Sequence, residues 1–229
     1  MKLALVLGAL ALAACNADLD PPWQLDHTRI VAVRATPPAI MPGETATIDG
    51  LVSREGGPVE ELAPESVLVV SPQSMAGAVS RQGDTWVVQA PDAAAIASAR
   101  GELKLADDAP VPLQLGIAYD GQTLLGLKSV MLGMTAQNPT LATPEVNGAP
   151  AADGAELVVG KLVDVPMSIT AADTDEVNWL TSCGTMHDFD LPSAYLRVED
   201  EDPTEGQLVV VLRDELGGVG WKIFSIRAE

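Results

Sequence analysis

Nine residues, Val111 to Tyr119, alternate without a break: Val111, Leu113, Leu115, Ile117 and Tyr119 share one parity, with other residues between them. Successive side chains of an extended strand point to opposite faces, so this pattern buries one face of a strand and cannot serve as a helix stripe. Asp120-Gly121 follows, a pair suited to the left-handed backbone of a tight hairpin turn, and Gln122 to Leu132 returns. Other stretches repeat the theme. Thr28 to Ala35 places Val31, Val33 and Ala35 on one face. Thr45 to Val52 turns Ala46, Ile48 and Val52 inward and Thr45, Thr47 and Asp49 outward. Val67 to Val70 and Thr85 to Gln89 are further short runs. One helix is expected, Ala93 to Arg100, capped by Asp92 and ended by Gly101.

Asn138 to Pro150 is rich in proline, threonine and alanine, and the boundary between two halves falls there, after residue 136. A second series follows. Lys161 to Ala171 alternates with Val163, Val165, Met167, Ile169 and Ala171 inward, Val177 to Leu180 carries Trp179, and Ala194 to Val198 is short. Leu208 to Leu212 is a continuous apolar run, the mark of a central strand covered on both faces. Gly217-Gly218 turns the chain into Val219 to Ile226. Many short strands, with a turn signal every ten residues or so, describe an all-β chain of two β-sandwiches, residues 27–136 and 137–229. The stretch from Ala35 to Ile48, Val177-Asn178-Trp179, and Arg213 to Gly218 resemble the opening strands, tryptophan strand and closing hairpin of bacterial immunoglobulin-like or PKD-like modules. That resemblance implies tandem Ig-like domains acting as spacers, stalks or binding surfaces.

The N-terminus gives an address. Lys2 precedes an apolar run from Leu3 to Leu12, too short to span a bilayer as a helix, and small residues lead to Cys15. Leu12-Ala13-Ala14-Cys15 resembles the lipobox of bacterial lipoproteins. The resemblance implies cleavage of residues 1–14, lipid on Cys15 and firm attachment by more than one acyl chain. Asn16 after the cysteine implies the outer membrane, on its periplasmic or surface face. Residues 15–26, with Asp18, Asp20, Pro21 and Pro22, read as an extended tether, with Trp23 packing where the first domain begins.

Cleavage would leave 215 residues and move the formal charge from −19 to −20 by losing Lys2. Such acidity argues against nucleic acid and leaves a membrane, through the lipid, and an envelope protein as expected partners. With only Cys15 and Cys183 in the chain, lipidation of the first removes any internal disulfide, so each domain would stand on its own core. Cys183 is expected buried, as free cysteine usually is.

Chemistry-bearing residues are sparse. Cys183, Met186, His187 and Asp188 are all capable of binding a metal, but His27 is the one other histidine, and copper centres need two. The plainer expectation packs Trp179 and Cys183 in the core and faces His187 and Asp188 to water. Calcium takes six to eight oxygens. Three acidic clusters could supply them if loops converged: Asp173, Asp175 and Glu176; Asp188 and Asp190; and Asp200 and Asp202 with Glu199, Glu201 and Glu205. None continues into an EF-hand loop, and a charge run is more often a solvated turn. There is no Gly-x-Ser-x-Gly, His-Glu-x-x-His or P-loop motif. The expectation is a non-catalytic structural or protein-binding lipoprotein without a cofactor. The alternative is a calcium-stabilised adhesion or ligand-binding lipoprotein.

Overall fold

A computed structural model describes residues 20–229, so the signal and Cys15 lie outside the described residues. The first half contributes β1 (Arg29–Thr36), β2 (Ala39–Ile40), β3 (Thr45–Ser53), β4 (Glu60–Leu62), β5 (Ser66–Ser71), β6 (Val79–Gln82), β7 (Thr85–Gln89), α1 (Ala93–Leu103), β8 (Val111–Tyr119) and β9 (Leu124–Leu132). The second contributes β10 (Glu145–Val146), β11 (Ala149–Pro150), β12 (Glu156–Val159), β13 (Asp164–Ser168), β14 (Glu176–Thr181), β15 (Thr185–His187), β16 (Ser193–Arg197), β17 (Glu205–Arg213) and β18 (Val219–Ala228). In the first half β1-β3-β7-β6, with β4 on β3, faces β2-β9-β8-β5. In the second, β11-β10-β13-β16-β15 faces β12-β18-β17-β14. The chain is therefore a tandem pair of β-sandwiches, antiparallel but for the β2–β9 and β12–β18 pairings.

The long hairpin forms where alternation places it. Nine residues of β8 pair with nine of β9. Asp120, Gly121 and Gln122 all take positive φ between them, and Glu65 accepts the Gly121 N–H at 2.9 Å. The helix starts as expected, with Asp92 Oδ1 accepting the Ala95 N–H at 2.8 Å, but runs past Gly101. Lys104, not glycine, takes the left-handed cap position, and its N–H reaches the carbonyls of Arg100 and Gly101.

Each sandwich has a core of its own. The first gathers residues such as Ile48, Leu113, Leu115, Ile117 and Leu132. The second is built around Trp179, Leu196, Leu208, Val210 and Phe224. A third core lies between them: Val31, Ala32, Leu51 and Val59 from the first half meet Leu180, Val209, Val211, Val219 and Trp221 from the second. This explains the apolar run of β17. Leu208, Val210 and Leu212 fill the second sandwich, while Val209 and Val211 are covered by the first. At about 1.5–3 kcal/mol for each fully buried aliphatic side chain, this joint rivals a small domain core. The expectation that each half stands on its own core alone is corrected here. An apolar joint of this kind makes the two halves one body, unlike the polar, yielding contacts usual between domains.

The tether also needs correction at its far end. Residues 23–25 lie along the edge strand β14: Thr181 N–H donates to the Trp23 carbonyl and Leu25 N–H to the Thr181 carbonyl, both at 2.9 Å. Leu25 is only 1% exposed and belongs to the joint. Trp23 packs against the core of the second sandwich, not the first. Apolar burial of two large side chains outweighs the extended bias of the prolines around them. Val163, expected inward, is 52% exposed because β13 begins only at Asp164.

Candidate functional site

The joint opens on one side into a cleft of about 630 Å³, walled by Ile30, Leu127 and Lys128 of the first sandwich and Glu176, Arg213 and Asp214 of the second. Lys128 is carried by β9 on the face opposite the exposed Leu127 and is 8% exposed. Its Nζ donates to the Gly217 carbonyl in the β17–β18 turn. Asp214 fixes that turn by accepting the N–H groups of Leu216 and Gly218 at 2.9 and 2.7 Å. Arg213 donates to the Val31 carbonyl at 2.9 Å and to Asn178 Oδ1. Around the rim, Val59 N–H donates to Gln207 Oε1 at 2.6 Å and Trp221 Nε1 to Glu61 at 2.8 Å. The Arg34 guanidinium lies 3.9 Å over the Trp221 ring and pairs with Asp49 at 2.6 Å. Asn138, between the halves in sequence, ties them with Nδ2 to the Ala35 carbonyl and Oδ1 to the Val219 N–H, both at 2.9 Å.

Buried Lys128 and half-buried Arg213 are directed at carbonyls, an arrangement that holds surfaces together. Burial pushes the Lys128 amine down to about 8, against the pull of Asp214 and Asp49 and with the push of Arg213. A folded-state pKa below the unfolded value means the unfolded chain holds the proton longer. The cost of burying the charge is then present below pH 8 and is relieved as pH climbs from about 8 toward 10.5. Lys128→Met is expected to remove a rise of about 1–3 kcal/mol across that window, read from urea unfolding at pH 7 and pH 9.5. Burial raises the Cys183 thiol and so works the other way, drawing stability down as pH rises through the ordinary thiol range. The lysine's part is therefore read as the difference between parent and variant.

The structure places the sequence-predicted residues apart. Cys183 is fully buried and its thiol donates to the Pro203 carbonyl at 2.8 Å. Met186 lies in the same core, while His187 stacks on Tyr195 with ring centres 4.4 Å apart. The acidic clusters divide between two ends. β13 and β16 pair antiparallel, Ser168 beside Ser193 and Asp164 beside Arg197. Loops 169–175 and 188–192, with Asp173, Asp175, Asp188 and Asp190, therefore share one end with Glu176 just beyond. Loop 198–204, with Asp200 and Asp202, lies at the other. The convergence of all three clusters is corrected by strand direction. Asp175 and Asp202 each accept a local backbone N–H, from Ala172 at 3.0 Å and from Glu199 at 2.8 Å. Among the described residues no three His, Cys, Asp or Glu side chains gather as a metal-binding group. Thermal unfolding in chelator and then in millimolar calcium is expected to give one midpoint. A hundredfold excess over Kd at a folded-state site would add about 2.7 kcal/mol and shift it visibly.

Two further hollows lie away from the joint. One, about 860 Å³ beside the start of α1, has Asp92 as its ionisable wall residue, already engaged as the helix cap. The other, about 500 Å³, is an apolar groove on the outer face of β5, β8 and β9. Sequence reading passed over it. Its signal was there, since Leu125 and Leu127 put apolar side chains on the face of β9 opposite Val130 and Leu132.

No family model matches the chain, and no curated protein matches it. Solved structures do. The two tandem V-type regions of the v-region-containing chitin binding protein VCBP3 match 86% of this chain and 99% of theirs, at 11% identity and a TM-score of 0.34. The N-terminal Ig1-2 module of the Drosophila receptor protein tyrosine phosphatase DLAR matches 89% and 99%, at 10% and 0.30. A nucleoside hydrolase-related hypothetical protein from Saccharophagus degradans matches 41% of this chain and 26% of its own, at 14% and 0.32. At such scores the likeness adds no argument to the strand pairing itself, on which the tandem sandwich rests.

Proposed function

We propose that this chain is a cell-envelope lipoprotein, held in the outer membrane by lipid on Cys15, that works without catalysis as a structural or protein-binding module. The observation that supports this reading is the welded joint. Its cations, buried Lys128 and half-buried Arg213, each reach from one sandwich to a backbone carbonyl of the other, which suits a rigid support rather than a reaction centre. Catalytic acid–base groups need hydrogen-bond reach to a substrate and a pKa near working pH. Lys128, an amine that burial brings down toward that range, is tied to Gly217.

The test is expression of the full chain in a bacterial host, followed by membrane fractionation and mass spectrometry of the N-terminal peptide. A diacylglyceryl thioether on Cys15, lost in Cys15→Ser together with membrane attachment, is the expected result. In-cell cross-linking of the anchored protein should then recover a discrete envelope partner. Turnover of an envelope substrate that vanishes on changing one polar residue would end the non-catalytic reading.

A further inference from the structure

A strand edge with no neighbour is a template for another chain, and proteins blunt such edges with short strands, bulges or a covering segment. Most edges here are blunted. Residues 23–25 lie on β14. β1 and β5 are each broken by a register shift, and β4, β6, β11, β12 and β15 have four residues or fewer. β9 is different. Its nine residues pair with β8 without a shift, and on its other edge β2 meets only Met131 and Leu132. Met131 N–H donates to the Pro38 carbonyl and Gly133 N–H to the Ile40 carbonyl, so odd-numbered residues of β9 turn their main-chain groups away from β8. That direction alternates along a strand, and the outward edge therefore carries the N–H and C=O of Leu125 and Leu127. Among the described residues no strand pairs with them. β1 runs close by, with Ile30 and Val33 against Gly126, but its ladder is to β3. The bare stretch ends at Ser129, where the β17–β18 turn comes up: a Cβ at Gly217 would lie 3.9 Å from the Ser129 carbonyl oxygen.

This bare edge borders the cleft beside the joint, and three features set what fits there. Two N–H donors and two C=O acceptors in one row, repeating about every 6.6 Å, match the backbone of an extended polypeptide. Leu125 and Leu127 stand on the outer face, 76% and 74% exposed, so the side chains that an added strand sets beside them are apolar. Across the cleft, Glu176 and Glu215 of the second sandwich are exposed and have no ion partner among the described residues. Lys128, Arg213 and Asp214 are already bonded. The incoming strand is therefore basic on its other face. The same charge turns away a second copy of this chain, whose formal charge is −19.

We infer that the edge of β9 at Leu125 and Leu127 takes up an extended segment of another protein by strand addition, one that alternates apolar with basic side chains. This rests on the reading of the chain as a protein-binding module.

The probe is an end-blocked peptide, Lys-Val-Thr-Val-Lys-Val-Thr-Val, added to the full lipidated chain in detergent micelles. Fluorescence anisotropy reads binding, and amide hydrogen exchange by NMR reads the edge. In the free chain the Leu125 and Leu127 amides are expected to exchange about a hundredfold faster than those of Gly126 and Lys128, which face β8. The peptide should protect both. Methylating one alternate set of peptide nitrogens should weaken binding about tenfold and methylating the other set should not, because one edge of the peptide faces β9. Glu176→Gln with Glu215→Gln should weaken it about threefold. Leu127→Pro should abolish binding, since this N–H is not spent in the ladder and proline is tolerated on an edge strand. If that variant melts early, the two methylated peptides decide. Slow exchange at both amides in the free chain, binding that leaves them unprotected, or no binding overturns the edge. A partner cross-linked in cells through position 163 of the second sandwich and not through 127 keeps the protein-binding reading and overturns the edge alone. Recovery of no partner from either position overturns both.

Discussion

Val211→Asp is expected to part the two sandwiches without unmaking either. Val211 is fully buried in the joint and contributes nothing to the core of its own sandwich, whose β17 side chains are Leu208, Val210 and Leu212. The cations beside it are already engaged: Arg213 with Val31 and Asn178, and Arg34, which lies over the neighbouring Trp221, with Asp49. Burying a carboxylate there would cost several kcal/mol, so the joint opens to hydrate it instead. The loss should be about 3–5 kcal/mol of joint stability. Calorimetry should record the single transition of the parent splitting into two. Circular dichroism at room temperature should keep its strand signal. A variant that still melts in one step at the parental midpoint would mean that the third core does not couple the halves.

The second large effect comes from one glycine. A Cβ at Gly50 would overlap the Tyr119 hydroxyl and sit 2.8 Å from its Cζ, with the Ala32 carbonyl 3.1 Å away. Tyr119 is almost fully buried and cannot swing aside, and backbone closes the other direction. Gly50→Ala should therefore cost about 3 kcal/mol as overpacking. The same ring carries the opposite prediction. Its hydroxyl is buried without a hydrogen-bond partner among the described residues, and burial beside Asp49 holds its pKa well above the usual phenol range. Removing an unsatisfied polar atom relieves its desolvation, so Tyr119→Phe should gain about 1 kcal/mol. In the Gly50→Ala background it should recover part of the loss, leaving the ring-carbon clash. Urea midpoints of the four proteins decide the matter. A Gly50→Ala variant as stable as the parent would show that β3 and β8 can move apart.

Long alternating strands were legible because a period of two survives in nine residues. β8, β3 and β7 appear where the pattern put them. The two-residue strands β2, β10 and β11 have no period to read. The run Leu208 to Leu212 announced a strand covered twice, but not what covers it, since Val31 and Leu51 lie more than a hundred residues away in sequence. Leu25 was hidden by its neighbours: a single leucine after two prolines carries the composition of a linker and the burial of a core. The acidic clusters were legible as residues and illegible as a site, because loops share an end only once strand directions are known. Cys183 went the other way, since its burial is what an unpaired cysteine usually does.

The clamp of residues 23–25 on β14 also has a mechanical meaning. Any pull along the backbone from its N-terminal side meets the main-chain bonds to the second sandwich, across the bridge from Gln24 to Thr181, before it reaches the strands of the first. The bridge is parallel, so a tug along the strand loads its hydrogen bonds in shear, together, rather than peeling them one by one. The first sandwich, though it comes first in the sequence, lies off the line of force and is held by the second like cargo on a mast.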